Sequence, residues 1–221
     1  MSSHPARQYS PFELQRQQLV MVLESRGIQD QRVLGAIGSI PREDFVPPAL
    51  YSRAYEDSAL PIDNLQTISQ PYTVALMTEL LDVQPGQKIL EIGTGSGYQA
   101  AVLARLGAEV VSIERHALLS QKARSVLQRL GYNVTCRIGD GTIGYREGGP
   151  YHGIIVTAGA PDVPEPLARQ LQIGGRMIIP IGSLQEQRMY TVQRTGDEAW
   201  KAQEVGPAKF VPLIGRSGWD E

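Results

Sequence analysis

The run Lys88-Ile89-Leu90-Glu91-Ile92-Gly93-Thr94-Gly95-Ser96-Gly97-Tyr98 constrains the fold more than any other stretch of the chain. It reads as a buried strand, a glycine turn and the start of a helix. A second apolar run, Glu109-Val110-Val111-Ser112-Ile113-Glu114, follows and ends on a carboxylate. Strand, glycine turn, helix, strand and acid, in that order, is how an α/β sheet holds an adenosine. The glycines let the backbone approach the ligand because no Cβ intrudes, and the acid accepts hydrogen bonds from the ribose hydroxyls.

The dinucleotide fingerprint G-x-G-x-x-G/A needs a small third residue, so that helix and strand can pack closely. Gly93 and Gly95 satisfy it, but Tyr98 occupies the third position. The chain instead carries Gly93, Gly95 and Gly97 at alternate positions, with Glu91 just before them. That pattern is similar to the first motif of class I methyltransferases, which bind S-adenosylmethionine. Such a ligand has no pyrophosphate to cradle, and its ammonium suits a nearby acid. A glycine cluster alone is also an ordinary tight turn; Glu114 at the next strand end favours the ligand.

A chain of 221 residues suits one domain. A net charge of −2 leaves no electrostatic footprint for nucleic acid. The single cysteine, Cys136, excludes an internal disulfide and a thiolate zinc cluster, and its place in a strand-like run points to packing. His4, His116 and His152 are too scattered to read as a metal site. The N-terminus is polar, with no apolar signal core, and no run reaches the length of a membrane span. A cytoplasmic protein is the expectation.

Ser10-Pro11-Phe12-Glu13 is a capping box with proline at the first helical position. Its helix carries Phe12, Leu19, Val20 and Leu23 and stops at Gly27; Asp30 begins a second with Val33, Leu34 and Ile37 inward. Leu60 to Gln70 reads as an extended loop, and Pro71 starts a helix through Leu81. Further on, strands are predicted at 88–92, 109–114, 133–138, 151–157 and 176–181, with helices at 97–106, 116–130 and 164–172. This alternation predicts an α/β fold, a doubly wound and mainly parallel sheet covered on both faces. Arg188–Arg194 and Trp200–Val205 alternate around a turn and predict an antiparallel hairpin at one edge. The N-terminal third has no strand pattern, so it is expected to pack as helices over the top of the sheet and form a lid. In this division 1–82 holds the helical lid and substrate loop, and 83–221 the cofactor-binding α/β part, within one compact unit.

Ligands of open α/β sheets bind beyond the carboxyl ends of the strands. Glycine turn 93–97, Glu114, Gly139-Asp140-Gly141 and Thr157-Ala158-Gly159-Ala160 all follow predicted strands and converge on one edge. Asp140 suits an adenine amino group and equally an ordinary turn before glycine. The loop after the fourth strand lacks the N/D-P-P-Y/F of nucleobase amino methylation, and Asp162 alone is not a metal site. The acceptor should therefore be nucleophilic without metal or base, and a carboxylate is already ionised at neutral pH. Thr67-Ile68-Ser69-Gln70 places two hydroxyls and an amide before a helix N-terminus, where N–H groups and the helix dipole favour an anion. Plain capping by Ser69 explains the same residues.

With these residues in place, the chain resembles the protein-L-isoaspartate O-methyltransferase family. The resemblance rests on Ile40-Pro41-Arg42-Glu43-Asp44-Phe45-Val46-Pro47, Leu60-Pro61-Ile62, Gln66-Thr67-Ile68-Ser69-Gln70-Pro71-Tyr72, the glycine motif, Gly139-Asp140-Gly141 and Phe210-Val211-Pro212-Leu213. It implies methyl transfer from S-adenosylmethionine, leaving S-adenosylhomocysteine, to the free α-carboxylate of L-isoaspartyl residues in damaged proteins. It implies no metal, and a monomer acting on peptides and proteins, with neither nucleic acid nor membrane as partner. By that resemblance Ser69 is the active-site residue. Gln66, Thr67, Ile68 and Ser69 close over the cofactor, which Glu91, Gly93, Thr94, Gly95, Gly97, Glu114, Arg115, Asp140, Gly141 and Thr157 also contact. Thr67, Ser69, Phe210, Val211 and Pro212 hold the substrate. The competing readings are a carboxyl methyltransferase for another peptide or small acid, and a non-catalytic cofactor-binding module. One departure stands out: family members often carry glycines before Gln66, where this chain has Asp63-Asn64-Leu65. Asn64 tolerates a left-handed backbone and Leu65 does not, which points to a different loop path.

Overall fold

The computed structural model describes residues 11–220. Ser10 of the predicted capping box and His4 lie outside them. Helix α1 (Pro11–Ser25) is followed by α2 (Gln31–Ser39). Asp30 caps α2, its carboxylate accepting from the Arg32 N–H at 2.8 Å. Helix α3 (Pro71–Leu81) begins at a proline, whose missing N–H costs nothing in a first turn.

The segment read as an extended loop is more ordered than that. Its ends pair as two short antiparallel strands, β1 (Leu60–Pro61) and β2 (Thr67–Ile68), with Leu60 opposite Ile68.

The α/β part then follows the predicted rhythm: β3 (Lys88–Ile92), α4 (Tyr98–Arg105), β4 (Glu109–Glu114), α5 (Ala117–Arg129), β5 (Val134–Ile138) and β6 (Tyr151–Val156). The helix predicted at 164–172 is only one turn, α6 (Glu165–Ala168). From Leu171 the chain is already extended, because Leu171 pairs with Tyr151, and β7 (Leu171–Gly182) absorbs the strand predicted at 176–181. Strand pairing overrides the local pattern there. The predicted hairpin is present as β8 (Gln187–Gly196) and β9 (Ala199–Ala208).

These strands form one sheet in the order β5-β4-β3-β6-β7-β8-β9. Pairing is parallel from β5 through β7 and antiparallel from β7 to β9. Alternate residues point to opposite faces. Ile89, Ile155 and Ile178 meet the helical layer, while Leu90, Ile92, Ile154 and Val156 meet α6 and the C-terminal segment. The helices α1 and α2 pack on α3, and α2 on α4. Their core cluster runs from Leu19 to Met189 and joins residues on both sides of position 82.

Close approach of α3 to the sheet depends on Gly153 in the middle of β6. A Cβ there would lie 2.9 Å from Leu81 Cδ1 and 3.0 Å from Ile89 Cδ1. Gly153→Ala is therefore expected to lower stability by about 1–3 kcal/mol through overpacking, read as a lower urea midpoint at unchanged slope.

Candidate active site

Connections leave β3 in opposite directions, toward β4 on one side and β6 on the other. A cavity of about 1080 Å³ opens at that switch point. Its floor is the glycine turn. The Gly93 and Thr94 N–H groups donate to the Ile113 carbonyl at 2.8 and 3.3 Å, and the Thr157 hydroxyl donates to the Gly93 carbonyl at 2.7 Å. Gly93 has φ 93°, and a side chain there would collide with Thr157 Oγ1.

Glu114, at the end of β4, is held from both sides. One carboxylate oxygen accepts from the Gly95 N–H at 2.9 Å, the other from the His116 N–H at 3.0 Å. It lines the cavity with Gly93, Thr94, Gly95, Arg115, Gly141 and Thr157. A rigid carboxylate beside side-chain-free backbone fits a ribose and an amino-acid chain: the carboxylate can accept from ribose hydroxyls, as S-adenosylmethionine requires. Among the described residues no group of three His, Cys, Asp or Glu could hold a metal ion, and no helix is long and apolar enough to cross a membrane.

Gln66, Thr67, Ile68 and Ser69 line the opposite wall. The helix they precede is not capped by Ser69. Gln70 is the cap residue and makes no side-chain cap bond, while the Tyr72 N–H donates to Asp57 Oδ1 at 2.8 Å. Asp57 is in turn ion-paired to Arg26, whose guanidinium lies 3.8 Å from the Tyr72 ring centre. The half-buried Ser69 hydroxyl is left without a partner among the described residues. Nothing in Glu56-Asp57-Ser58 distinguishes this cap from a surface loop, so the sequence offered no signal for it.

Phe210, Val211 and Pro212 line the cavity mouth beside the Thr157 loop. The Gly159 N–H donates to the Val211 carbonyl and the Leu213 N–H to the Gly159 carbonyl, both at 2.8 Å. Gln187, also missed by the motifs, clamps Phe210 with its side-chain amide, whose oxygen accepts from the Phe210 N–H at 2.8 Å and whose nitrogen donates to the Phe210 carbonyl at 3.1 Å.

Three expected contact residues do not line the cavity. Gly97 has φ 89° at the start of α4, and a Cβ there would press on Ala123 and Leu127 of α5 at 3.2 and 3.3 Å, so its smallness serves helix packing. Asp140 caps the turn after β5. Its carboxylate accepts from the Thr142 N–H and hydroxyl at 2.8 and 2.7 Å and from the Arg216 N–H at 3.0 Å, tying down the C-terminal tail. Burial pushes its pKa up, but these hydrogen bonds outweigh burial and hold it below 3.8. Glu91 is fully buried beneath the turn, where Ser112 donates to it. Leu65 takes the left-handed conformation its side chain disfavours, φ 57°, and is 97% exposed. The turn is held by the Gln66 N–H on the Asp63 carbonyl at 3.1 Å and by Lys122 on Asp63 at 2.7 Å.

Sheet order, glycine turn and strand-end carboxylate together define a class I methyltransferase fold. A family model, Protein-L-isoaspartate(D-aspartate) O-methyltransferase (PCMT), matches residues 14–218. The protein-L-isoaspartate O-methyltransferase of Magnetococcus marinus is 51% identical over 220 residues, spanning 99% of this chain and 96% of that protein. The Salinibacter ruber enzyme of the same name is 54% identical, over 92% of this chain and 93% of its own length. A solved protein-L-isoaspartate O-methyltransferase superposes with TM-score 0.83 at 34% identity, covering 92% of this chain and 67% of that one. The chain belongs to the protein-L-isoaspartate O-methyltransferase family.

Burial raises the Glu91 carboxyl from its ordinary 4.5 to about 8, with the nearby Glu114 charge adding and the Ser112 hydrogen bond offsetting in part. The folded protein thus keeps a proton that the unfolded chain releases. Its contribution to stability is complete below about pH 4.5 and is lost as pH rises through about 8. Glu91→Gln, a neutral isostere, is expected to flatten that decline, checked by urea unfolding across the same pH range.

Proposed function

We propose that Ser69 orients the acceptor carboxylate while the β3–β4 wall of the cleft holds the methyl donor. As a member of its family the chain is an S-adenosylmethionine-dependent enzyme that methylates L-isoaspartyl residues of proteins and peptides. When bound, S-adenosylmethionine supplies an electrophilic methyl group on a sulfonium. The observation that carries the assignment of Ser69 is its hydroxyl: Asp57 takes over the capping of α3, and among the described residues none bonds the Oγ of Ser69, which lines the cavity.

An α-carboxylate is ionised at neutral pH and needs no general base. Ser69 donates a hydrogen bond to one carboxylate oxygen. Glu114 accepts from the ribose hydroxyls, its orientation fixed by Gly95 and His116. Gln66, Thr67 and Ile68 exclude water, which strengthens the attraction between unlike charges in the cleft. Positioning supplies much of the rate. Asp140 acts indirectly, shaping the Gly141 turn and anchoring the tail near the adenine end. Glu91 and Gly97 support the turn from below.

Isoaspartate carries the chain on its β-carboxyl and leaves the α-carboxylate free. Backbone held on both sides of the acceptor separates it from aspartate, and the clamped Phe210-Val211-Pro212 segment supplies one side. The reading includes a monomeric, cytoplasmic enzyme with no nucleic-acid partner, in keeping with a net charge of −2.

The test pairs labelled S-adenosylmethionine with peptides containing isoaspartate or aspartate at one position. Base-labile label on the isoaspartyl peptide alone is expected; label on both or neither overturns the reading. Ser69→Ala should lower kcat by about tenfold to a hundredfold, the worth of one hydrogen bond to a charged group, with cofactor affinity kept. Glu114→Ala should instead weaken cofactor binding by about tenfold or more, measured by calorimetry.

A further inference from the structure

Arg42 is a fully buried cation, and among the described residues no carboxylate is bonded to it. It sits in a short 3₁₀ turn, Arg42–Phe45, remote in sequence from every strand-end motif. Its Nε donates to the Ala54 carbonyl at 2.9 Å, and its Nη2 donates to the Ser69 carbonyl, also at 2.9 Å. The guanidinium lies 4.7 Å from the centre of the Tyr98 ring, which Phe45 meets edge-on at 5.4 Å. Among the described residues its Nη1 has no hydrogen-bond partner.

Removing a guanidinium from water is costly, and here two carbonyls, the Tyr98 ring and the Asp57 charge offset only part of the loss. An apolar side chain of similar volume would fill the same space without that penalty. The two acceptors it does hold are informative, because one is the carbonyl of Ser69, a residue that lines the cleft. A guanidinium's rigid fork fixes the peptide plane it bonds to, and with it the direction of the attached side chain. β2 pairing fixes the chain up to Ile68 and the Gln70 side chain donates to the Asp57 carbonyl, but among the described residues only Arg42 bonds the Ser69 carbonyl and none bonds its hydroxyl.

We infer that Arg42 is a positioning residue for the acceptor site: its buried guanidinium locks the Ser69 carbonyl, aims the Ser69 hydroxyl, and adds positive charge behind the place where the carboxylate binds. The inference rests on the reading of Ser69 given above. It separates two functions that one loop performs. Cofactor contact belongs to the backbone of 66–69 as a wall, whereas acceptor alignment belongs to the peptide plane that Arg42 holds.

The test compares Arg42→Met, Arg42→Lys, Ser69→Ala and the double variant Arg42→Met/Ser69→Ala, each as the full chain, with an isoaspartyl peptide as substrate. Arg42→Met is expected to lower kcat/KM for the peptide by about tenfold or more while S-adenosylhomocysteine affinity stays within about twofold. Arg42→Lys, which keeps the charge and one hydrogen bond, should recover part of the loss. In the Ser69→Ala background Arg42→Met should cost little more, because the two residues act as one unit. Unchanged kcat/KM in a folded Arg42→Met, a proportional loss of cofactor affinity, or full additivity in the double variant overturns the inference. If Arg42→Met does not fold, Arg42→Lys decides: reduced kcat/KM at unchanged cofactor affinity supports the role, and unchanged kcat/KM or parallel loss of both overturns it. Ser69→Ala tests the underlying reading separately. Unchanged turnover there overturns the Ser69 assignment, whereas a loss there with Arg42→Met unaffected overturns only the role of Arg42.

Discussion

Backbone N–H groups of the turn after β3 bond to the end of β4, and the cleft is built on that joint. Gly93 and Thr94 donate to Ile113, and Gly95 donates to the Glu114 carboxylate. Each bond satisfies a backbone donor of the turn that links β3 to α4 and so fixes the shape of the turn. The same bonds aim Glu114. Thr157 closes the joint from the β6 side by bonding the Gly93 carbonyl. Three neighbouring strands are thereby coupled at the one place where their connections diverge, and the cavity exists because that place has no side chain to fill it.

The acceptor side is assembled differently, from segments far apart in the chain. Asp57 caps α3, Arg42 holds the Ser69 peptide, and Gln187 clamps Phe210 from β8. None of these contacts is part of the sheet's own hydrogen bonding. Two of the site's supports carry a stability cost. Glu91 is buried with one oxygen unpartnered, and Arg42 is buried with one nitrogen unpartnered. A core selected for stability alone would replace both with hydrocarbon, so their presence under the turn and behind Ser69 is better explained by alignment of the site than by packing. The left-handed Leu65, a leucine where glycine would be relaxed, is a third local conflict, in the exposed turn before Gln66.

The sequence reading succeeded where local chemistry and long-range packing agree. Strands β3 and β4 are each built around an apolar core and bounded by turn residues, so they could be placed to the residue. The reading failed where a distant partner decides. Gln170-Leu171-Gln172 continues a helical pattern, but Tyr151 captures Leu171 into the sheet. Glu91 and Gly97 look like cofactor contacts in the motif, yet a strand of period two and a helix start turn one beneath the sheet end and the other against α5. Asp140 had two readings open, and the turn reading describes its bonds.

By itself, the order of residues determined the class of sheet, the glycine turn, the acid that ends β4 and the family to which they belong. These depend on neighbours within a few positions, where periodicity and turn chemistry act directly. Only the tertiary structure decided which residue caps α3, which carboxylates face the cavity, and what stands behind Ser69. Those outcomes depend on side chains separated by tens of residues meeting across a packed interface, and no local pattern in the chain encodes such a meeting.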